Sequence, residues 1–217
     1  MVTLKNLRSF IDRGHRVTVI GPSRHHYYSG MGPGMLGRTY SPDDIRFATE
    51  LVVSKSGGNF LLDRVVRIEA QKKTLHLESG HTVDYDVLSM NAGSYVPWDI
   101  VTGDRSDIFS VKPIETLLAA QKRLLELFGQ KKITVGIVGG GPSSLEIGGN
   151  IWKLARDNNR FEPTIQIFAG STLMSKFPDR IRKMAYRSLQ CRDIEIIEHD
   201  YAREITSGRI TLESGKE

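Results

Sequence analysis

The segment Ile137-Val138-Gly139-Gly140-Gly141-Pro142-Ser143-Ser144-Leu145-Glu146-Ile147-Gly148-Gly149 constrains this chain more than any other. A β-branched run from Ile133 to Val138 breaks into three glycines and then into helical spacing. That is the strand–turn–helix context of a dinucleotide-binding loop. Glycine lets the chain turn tightly and lets a pyrophosphate approach the backbone, where a helix N-terminus offers free N–H groups and a partial positive charge. Ser144 stands where the GxGxxG pattern has its third glycine. It adds a side chain where helix and strand should pack closely, yet it is small and able to donate a hydrogen bond to phosphate. Gly139, Gly141, Pro142, Ser143 and Ser144 are therefore the candidate phosphate-binding residues, although the same glycines would also serve a plain tight turn between a core strand and helix.

The rest of the chain alternates strand and helix. Leu4, Leu7, Phe10 and Ile11 have helical spacing, Gly14 ends that helix, and Arg16 to Ile20 is a buried-strand pattern closed by Gly21-Pro22. Residues 24–40 are rich in Gly, Tyr, His and Met without a period and read as a long loop. Ser41-Pro42-Asp43-Asp44 predicts a helix start, running to about Ser56. Short strands over Phe60–Ile68, Thr74–Glu78 and Thr82–Val83 form an antiparallel meander, and Asp86–Met90 is a further apolar run before Asn91-Ala92-Gly93-Ser94. After a Pro- and Asp-containing connection and a helix over 113–128, the second half repeats the plan. It predicts strand 133–138, helix 143–154, strand 164–168, helix 179–189, strand 194–197 and a hairpin near Gly208. This pattern predicts an α/β fold of two three-layer Rossmann-like units with a small antiparallel meander. The first unit opens directly on a helix, and the last strand has no return partner, so both ends read as incomplete.

Composition narrows the classes. With 39% apolar and 25% charged residues the chain reads as an ordinary globular protein, and no window reaches a membrane-spanning length of apolar residues. No signal peptide is evident, since Lys5, Arg8, Asp12 and Arg13 interrupt any apolar core, and a cytoplasmic location is the plain expectation. The single cysteine, Cys191, leaves no CxxC redox pair, internal disulfide or cysteine-based zinc site, and is expected to be half-buried and inert. His25 and His26 lack acids at ligand spacing, so no metal site is expected. The net charge of +5 is read as scattered among acids rather than gathered in a nucleic-acid patch.

Three stretches in order carry a resemblance. Gly14 to Ser23 followed by Tyr28-Ser29-Gly30-Met31-Gly32-Pro33-Gly34, then Tyr85-Asp86-Val87-Leu88-Ser89-Met90-Asn91-Ala92-Gly93-Ser94, then Gly139 to Gly149, together resemble the pyridine nucleotide-disulfide oxidoreductases. The branch with type II NADH dehydrogenases and sulfide:quinone reductases looks nearest. The resemblance implies that residues 1–108 are a partial FAD-binding domain lacking its first strand and phosphate loop, and residues 109–217 an NAD(P)-binding domain. It implies FAD and NAD(P)H as cofactors and a quinone-like small acceptor, with peripheral membrane association arising in a complete protein. It places Glu146 beside the nicotinamide near the flavin as the catalytic candidate. It assigns Pro22, Ser23, Arg24, Val65, Ala92, Gly93 and Ser94 to FAD, with Ser23 and Arg24 reaching ribose or phosphate and the backbone of Val65 offered to adenine.

Phe168 departs from the family. The end of that strand should hold a carboxylate for the adenosine ribose, and Gly21 leaves the matching slot of the first unit without one. Two readings stay open: an FAD-dependent oxidoreductase passing hydride from NAD(P)H to flavin and onward, or a truncated, non-catalytic dinucleotide-binding module. Open sheet edges at both ends also fit pairing with another chain.

Overall fold

A computed structural model describes residues 2–158 and 161–217. The chain forms two compact units that are interleaved in sequence, residues 1–28 with 46–93 and residues 29–45 with 94–217. A linear division after residue 108 does not coincide with them, because residues 29–45 pack with the second unit.

In the first unit, α1 (Val2–Lys5) and α2 (Leu7–Asp12) are separated at Asn6. β1 (Thr18–Gly21) pairs in parallel with β4 (Asn59–Leu62), in the register Thr18↔Asn59 to Gly21↔Leu62. Between them β2 (His26–Tyr27) pairs antiparallel with β3 (Arg46–Phe47), and α4 (Thr49–Lys55) follows. Leu7 of α2 and Val53 of α4 are fully buried, and both lie beside Gly58. β5 (Val65–Glu69), β6 (Thr74–Leu77) and β7 (Thr82–Asp84) form the expected meander, with Leu75 and Leu77 buried. The apolar run 86–90 joins no strand, and Val87 is 89% exposed.

Ser41 and Asp44 do make reciprocal bonds, since the Ser41 N–H and hydroxyl donate to Asp44 Oδ2 at 2.8 and 2.7 Å and the Asp44 N–H donates to Ser41 Oγ at 3.3 Å. They close a single turn, and the helix begins only at Thr49, because the chain first enters β3. The loop expected over 24–40 contains a buried helix, α3 (Gly32–Leu36). Its Gly-Pro-Gly sequence has no helical period of its own; the helix is held by tertiary contacts. Gln121 Nε2 donates to the carbonyls of Met35 and Leu36, and Lys153 Nζ donates to that of Gly37 at 3.0 Å.

In the second unit α5 (Thr116–Phe128) leads into β8 (Thr134–Val138), α6 (Pro142–Asp157), β9 (Thr164–Gly170), α7 (Asp179–Gln190) and β10 (Ile194–Glu198). The three strands form a parallel sheet in the order β10-β9-β8, followed by the antiparallel ribbon β11 (Ala202–Thr206) and β12 (Arg209–Leu212). The buried apolar residues of these strands are Ile137, Ile165, Ile167 and Ile194, and in β9 they alternate with part-exposed positions. Cys191 caps α7 and is exposed, not half-buried, because the helix turns its Ala185 and Leu189 side inward.

Arg123 on α5 forks onto Asp107 with bonds of 2.6 and 3.1 Å, tying the segment before α5 to the helix. The Arg123 hydrogen bond holds the Asp107 carboxyl below the usual carboxylate range. A lowered folded-state pKa stabilises above the unfolded value, about 4, and that contribution disappears as the pH falls through the folded value. The variant D107N is therefore expected to melt below the parent chain at neutral pH, with the gap closing below about pH 4. Melting temperatures across pH 2–8 check this, and a gap that persists in acid would exclude it.

Candidate functional site

The β8–α6 turn builds the site. At Gly139 the backbone adopts a φ of +132°, a conformation that side chains disfavour, and its N–H donates to the Phe168 carbonyl at 2.9 Å. Gly140 is the residue that sequence reasoning passed over. A Cβ there would sit 2.7 Å from the Ala169 carbonyl oxygen, so the turn can lie against β9 only if this position is glycine. Its own carbonyl accepts from the Met174 N–H at 2.6 Å, which locks the loop after β9 onto the turn. The signal was present as the middle glycine of the triplet, but the motif assigns it no role.

Gly141 is different. It caps α6 in an extended conformation, and a Cβ built on it would meet nothing within 4 Å. Open space thus lies directly before the N-terminus of a 16-residue helix that has no side-chain cap and no acid in its first turn. Uncapped N–H groups and the helix dipole make that space favourable for an anion. Pro142 occupies the first helical position, where its missing N–H costs nothing, and Ser143 is exposed beside it.

Ser144 does not face this space. It is buried, and its hydroxyl donates to the Gly139 carbonyl at 2.6 Å, so it closes the turn instead of donating to a phosphate. The close packing of helix on sheet occurs one turn later, at Gly148, where Ile137, Ile167 and Ile194 converge. S144A is expected to lower stability by about 1 kcal/mol, the net worth of one hydrogen bond, and to leave nucleotide affinity unchanged. Thermal melts beside a calorimetric titration test both halves.

Phe168 lies next to Val138 in the sheet register, and β9 runs on to Gly170. Its ring turns onto the sheet face at Gly136, where a Cβ would lie 3.3 Å from Phe168 Cε2 and 2.6 Å from Ile210 Cδ1. The side chain is therefore a half-buried packing element between sheet and ribbon, which explains its apolar nature at a carboxylate position. Glu146 is exposed and falls in the second turn of α6, past the first-turn position where a dipole effect would favour it.

The structure gathers Gly139, Gly141, Pro142, Ser143, Ser144, Glu146 and Phe168 around one turn. The other candidates belong to other segments, and all of them but Ser94 fall in the first unit. Pro22, Ser23 and Arg24 form the bend after β1, and Val65 begins β5 just beyond Asp63, whose N–H donates to the Gly21 carbonyl at 3.1 Å. Arg24 is ion-paired with Glu50 and exposed, so its guanidinium is held by a carboxylate and not directed at a phosphate. Ser23 Oγ accepts from the His25 N–H at 3.2 Å. Ala92 and Gly93 are exposed and belong to no strand, and Ser94 Oγ lies 2.6 Å from Lys112 Nζ in the second unit. Among the described residues of the first unit no strand–glycine–helix turn occurs, so nothing comparable to the Gly139 turn is present there.

The family profile of the pyridine nucleotide-disulphide oxidoreductases matches residues 1–217. The chain belongs to this family. The large subunit of the NADH nitrite reductase of Escherichia coli K12 is 31% identical over 126 residues, covering 57% of this chain and 14% of that protein. Among solved structures, the sulfide:quinone oxidoreductase of Aquifex aeolicus superposes with a TM-score of 0.80 at 18% identity, covering 99% of this chain and 52% of that one. NDH2 of Plasmodium falciparum in complex with NADH gives 0.74 at 18% identity, covering 92% and 46%. A ferredoxin reductase of Rhodopseudomonas palustris gives 0.78 at 17% identity, covering 99% and 53%. This member of the family thus spans about half the length of the structures it resembles. Among its described residues no helix is long and apolar enough to cross a membrane.

Proposed function

We propose that residues 109–217 bind the pyrophosphate of NAD(P)H at the Gly139 turn, and that the chain is the nucleotide-binding part of an FAD-dependent NAD(P)H oxidoreductase. The observation that carries this reading is the open space at Gly141, in front of an uncapped and acid-free helix N-terminus. Gly139 shapes the turn, Gly140 seats it against β9, and Gly141 with the first N–H groups of α6 would hold the phosphates. Glu146, exposed one turn along α6, is the residue proposed to face the nicotinamide. When bound, a flavin supplies the centre that accepts hydride and returns electrons to a quinone-like acceptor. Residues 1–108 are proposed as the partial FAD domain, in which Pro22, Ser23, Val65, Ala92, Gly93 and Ser94 would contact it. The fit there is incomplete: Arg24 is taken by Glu50, and the described residues offer no second phosphate cradle.

Phe168, folded onto the sheet where dinucleotide folds hold a ribose-binding carboxylate, favours a second reading in which the chain binds a dinucleotide without catalysing hydride transfer. The absorbance spectrum after incubation with stoichiometric FAD and desalting separates the two. A retained flavin band, bleached by NADH, supports the oxidoreductase. A colourless protein that still gives a calorimetric signal with NADH or NADPH supports the binding module. No heat with NADH, NADPH or ADP excludes both.

A further inference from the structure

Glu198 stands at the end of β10, where the sheet register slips: Ile197 lies opposite Phe168, but Glu198 lies opposite Gly170. Its half-buried side chain reaches the loop that follows β9. There Oε1 accepts from the backbone N–H of Leu173 and also from the hydroxyl of Tyr186 on α7. Burial first, and then the bond to Glu198, raise the pKa of Tyr186, so its hydroxyl stays a donor. The carboxylate thus ties α7, β10 and the loop together, and Leu173 itself is fully buried.

The next residue, Met174, has a φ of +52°, a backbone conformation that residues with a side chain seldom adopt. It is held from both sides. Leu173 is fastened to Glu198, and the Met174 N–H donates to the Gly140 carbonyl at 2.6 Å. That carbonyl and the N–H of Gly141 belong to one planar trans peptide group, so orienting the first orients the second in the opposite direction. The Gly141 N–H donates to no group among the described residues, and it belongs to the residue that borders the open space before α6.

We infer that Glu198 is a positioning residue for pyrophosphate binding: through Leu173 and Met174 it fixes the Gly140–Gly141 peptide and so holds a free N–H ready for the anion. The inference rests on the reading that the Gly139 turn binds a dinucleotide. A donor already held in place loses less freedom when its ligand arrives, and affinity rises accordingly. The amide oxygen of glutamine can accept both bonds, whereas an aspartate carboxylate stops one methylene short of them. The position therefore requires reach, not charge.

The test is calorimetric titration of the full chain with NADH, NADPH and ADP, beside amide hydrogen exchange. E198A and E198D are each expected to weaken binding about fivefold, the scale of one hydrogen bond. Both should speed exchange of the Leu173 and Met174 amides by about tenfold while the amides of β8 stay as protected as in the parent. E198Q is expected to match the parent in both measurements. Circular dichroism at the titration temperature establishes that each variant is folded, and E198D against E198Q decides if E198A does not fold. A merely stabilising Glu198 would lower the melting temperature and leave the Kd of the folded protein unmoved. Unchanged exchange at Leu173 and Met174, parent-like affinity in a folded E198A or E198D, or an E198Q as weak as E198D overturns the inference and leaves the dinucleotide reading intact. A parent chain that binds none of the three nucleotides overturns both.

Discussion

G141D is expected to abolish NADH binding while leaving the fold as stable as the parent, or slightly more so. The two halves have separate physical causes. Position 141 is the N-cap of α6 in extended backbone, with no atom within 4 Å of a built Cβ, so a side chain meets no steric obstacle. Aspartate is a favoured N-cap, and its carboxylate can accept the uncapped N–H groups, contributing on the order of 1 kcal/mol. The same carboxylate occupies the room that the pyrophosphate requires and sets a negative charge against it. Loss of charge-assisted hydrogen bonds together with that repulsion is expected to lower NADH affinity by about a hundredfold or more. Thermal melts and isothermal calorimetry read the two quantities. A folded G141D that binds NADH as the parent does would remove the Gly139 turn from the proposed site.

The second large effect concerns F168E. The carboxylate it introduces is the residue type that binds ribose hydroxyls at this strand end in dinucleotide folds, and with the new side chain turned off the sheet face at Gly136 the expected gain in NADH affinity is on the order of 1–2 kcal/mol, smaller for NADPH because of its 2′-phosphate. The structure adds a cost. The Phe168 ring covers Gly136 and approaches Ile210, and removing it leaves a gap that no neighbouring side chain fills, since Gly136 has none. Loss of this half-buried aromatic is expected to lower stability by about 2 kcal/mol, less than the 3–5 typical of a fully buried phenylalanine. A lowered melting temperature with tighter NADH binding is the expected pair. Unchanged affinity in a folded variant would mean that the ribose lies elsewhere or that no dinucleotide binds.

How much of this was legible in the sequence depends on the range of the forces involved. Strand–glycine–helix order, the alternation of strand and helix in the second half, and the meander turns at Gln71–Lys73 and Ser79-Gly80 follow from local chemistry: β-branched runs, helical spacing and turn residues. The parallel pairing of β8, β9 and β10 followed from that alternation. The family was legible for the same reason, because its three motifs are short and ordered along the chain.

Tertiary structure alone decided the rest. Nothing in Gly-Pro-Gly-Met-Leu predicts a helix, and α3 exists because Gln121 and Lys153, far along the chain, satisfy its terminal carbonyls. Ser41 to Asp44 carries a helix-start signature that ends after one turn because β3 competes for the following residues. Gly140 and Gly141 are adjacent and chemically identical, yet one must be glycine because Ala169 lies against it and the other faces open space. The Ser144 hydroxyl is of a size and type to donate to a phosphate, and the fold directs it to the Gly139 carbonyl instead. In each case the sequence specified which groups were available to hydrogen-bond or pack, and the neighbours brought from a distance by the fold settled which of them were used.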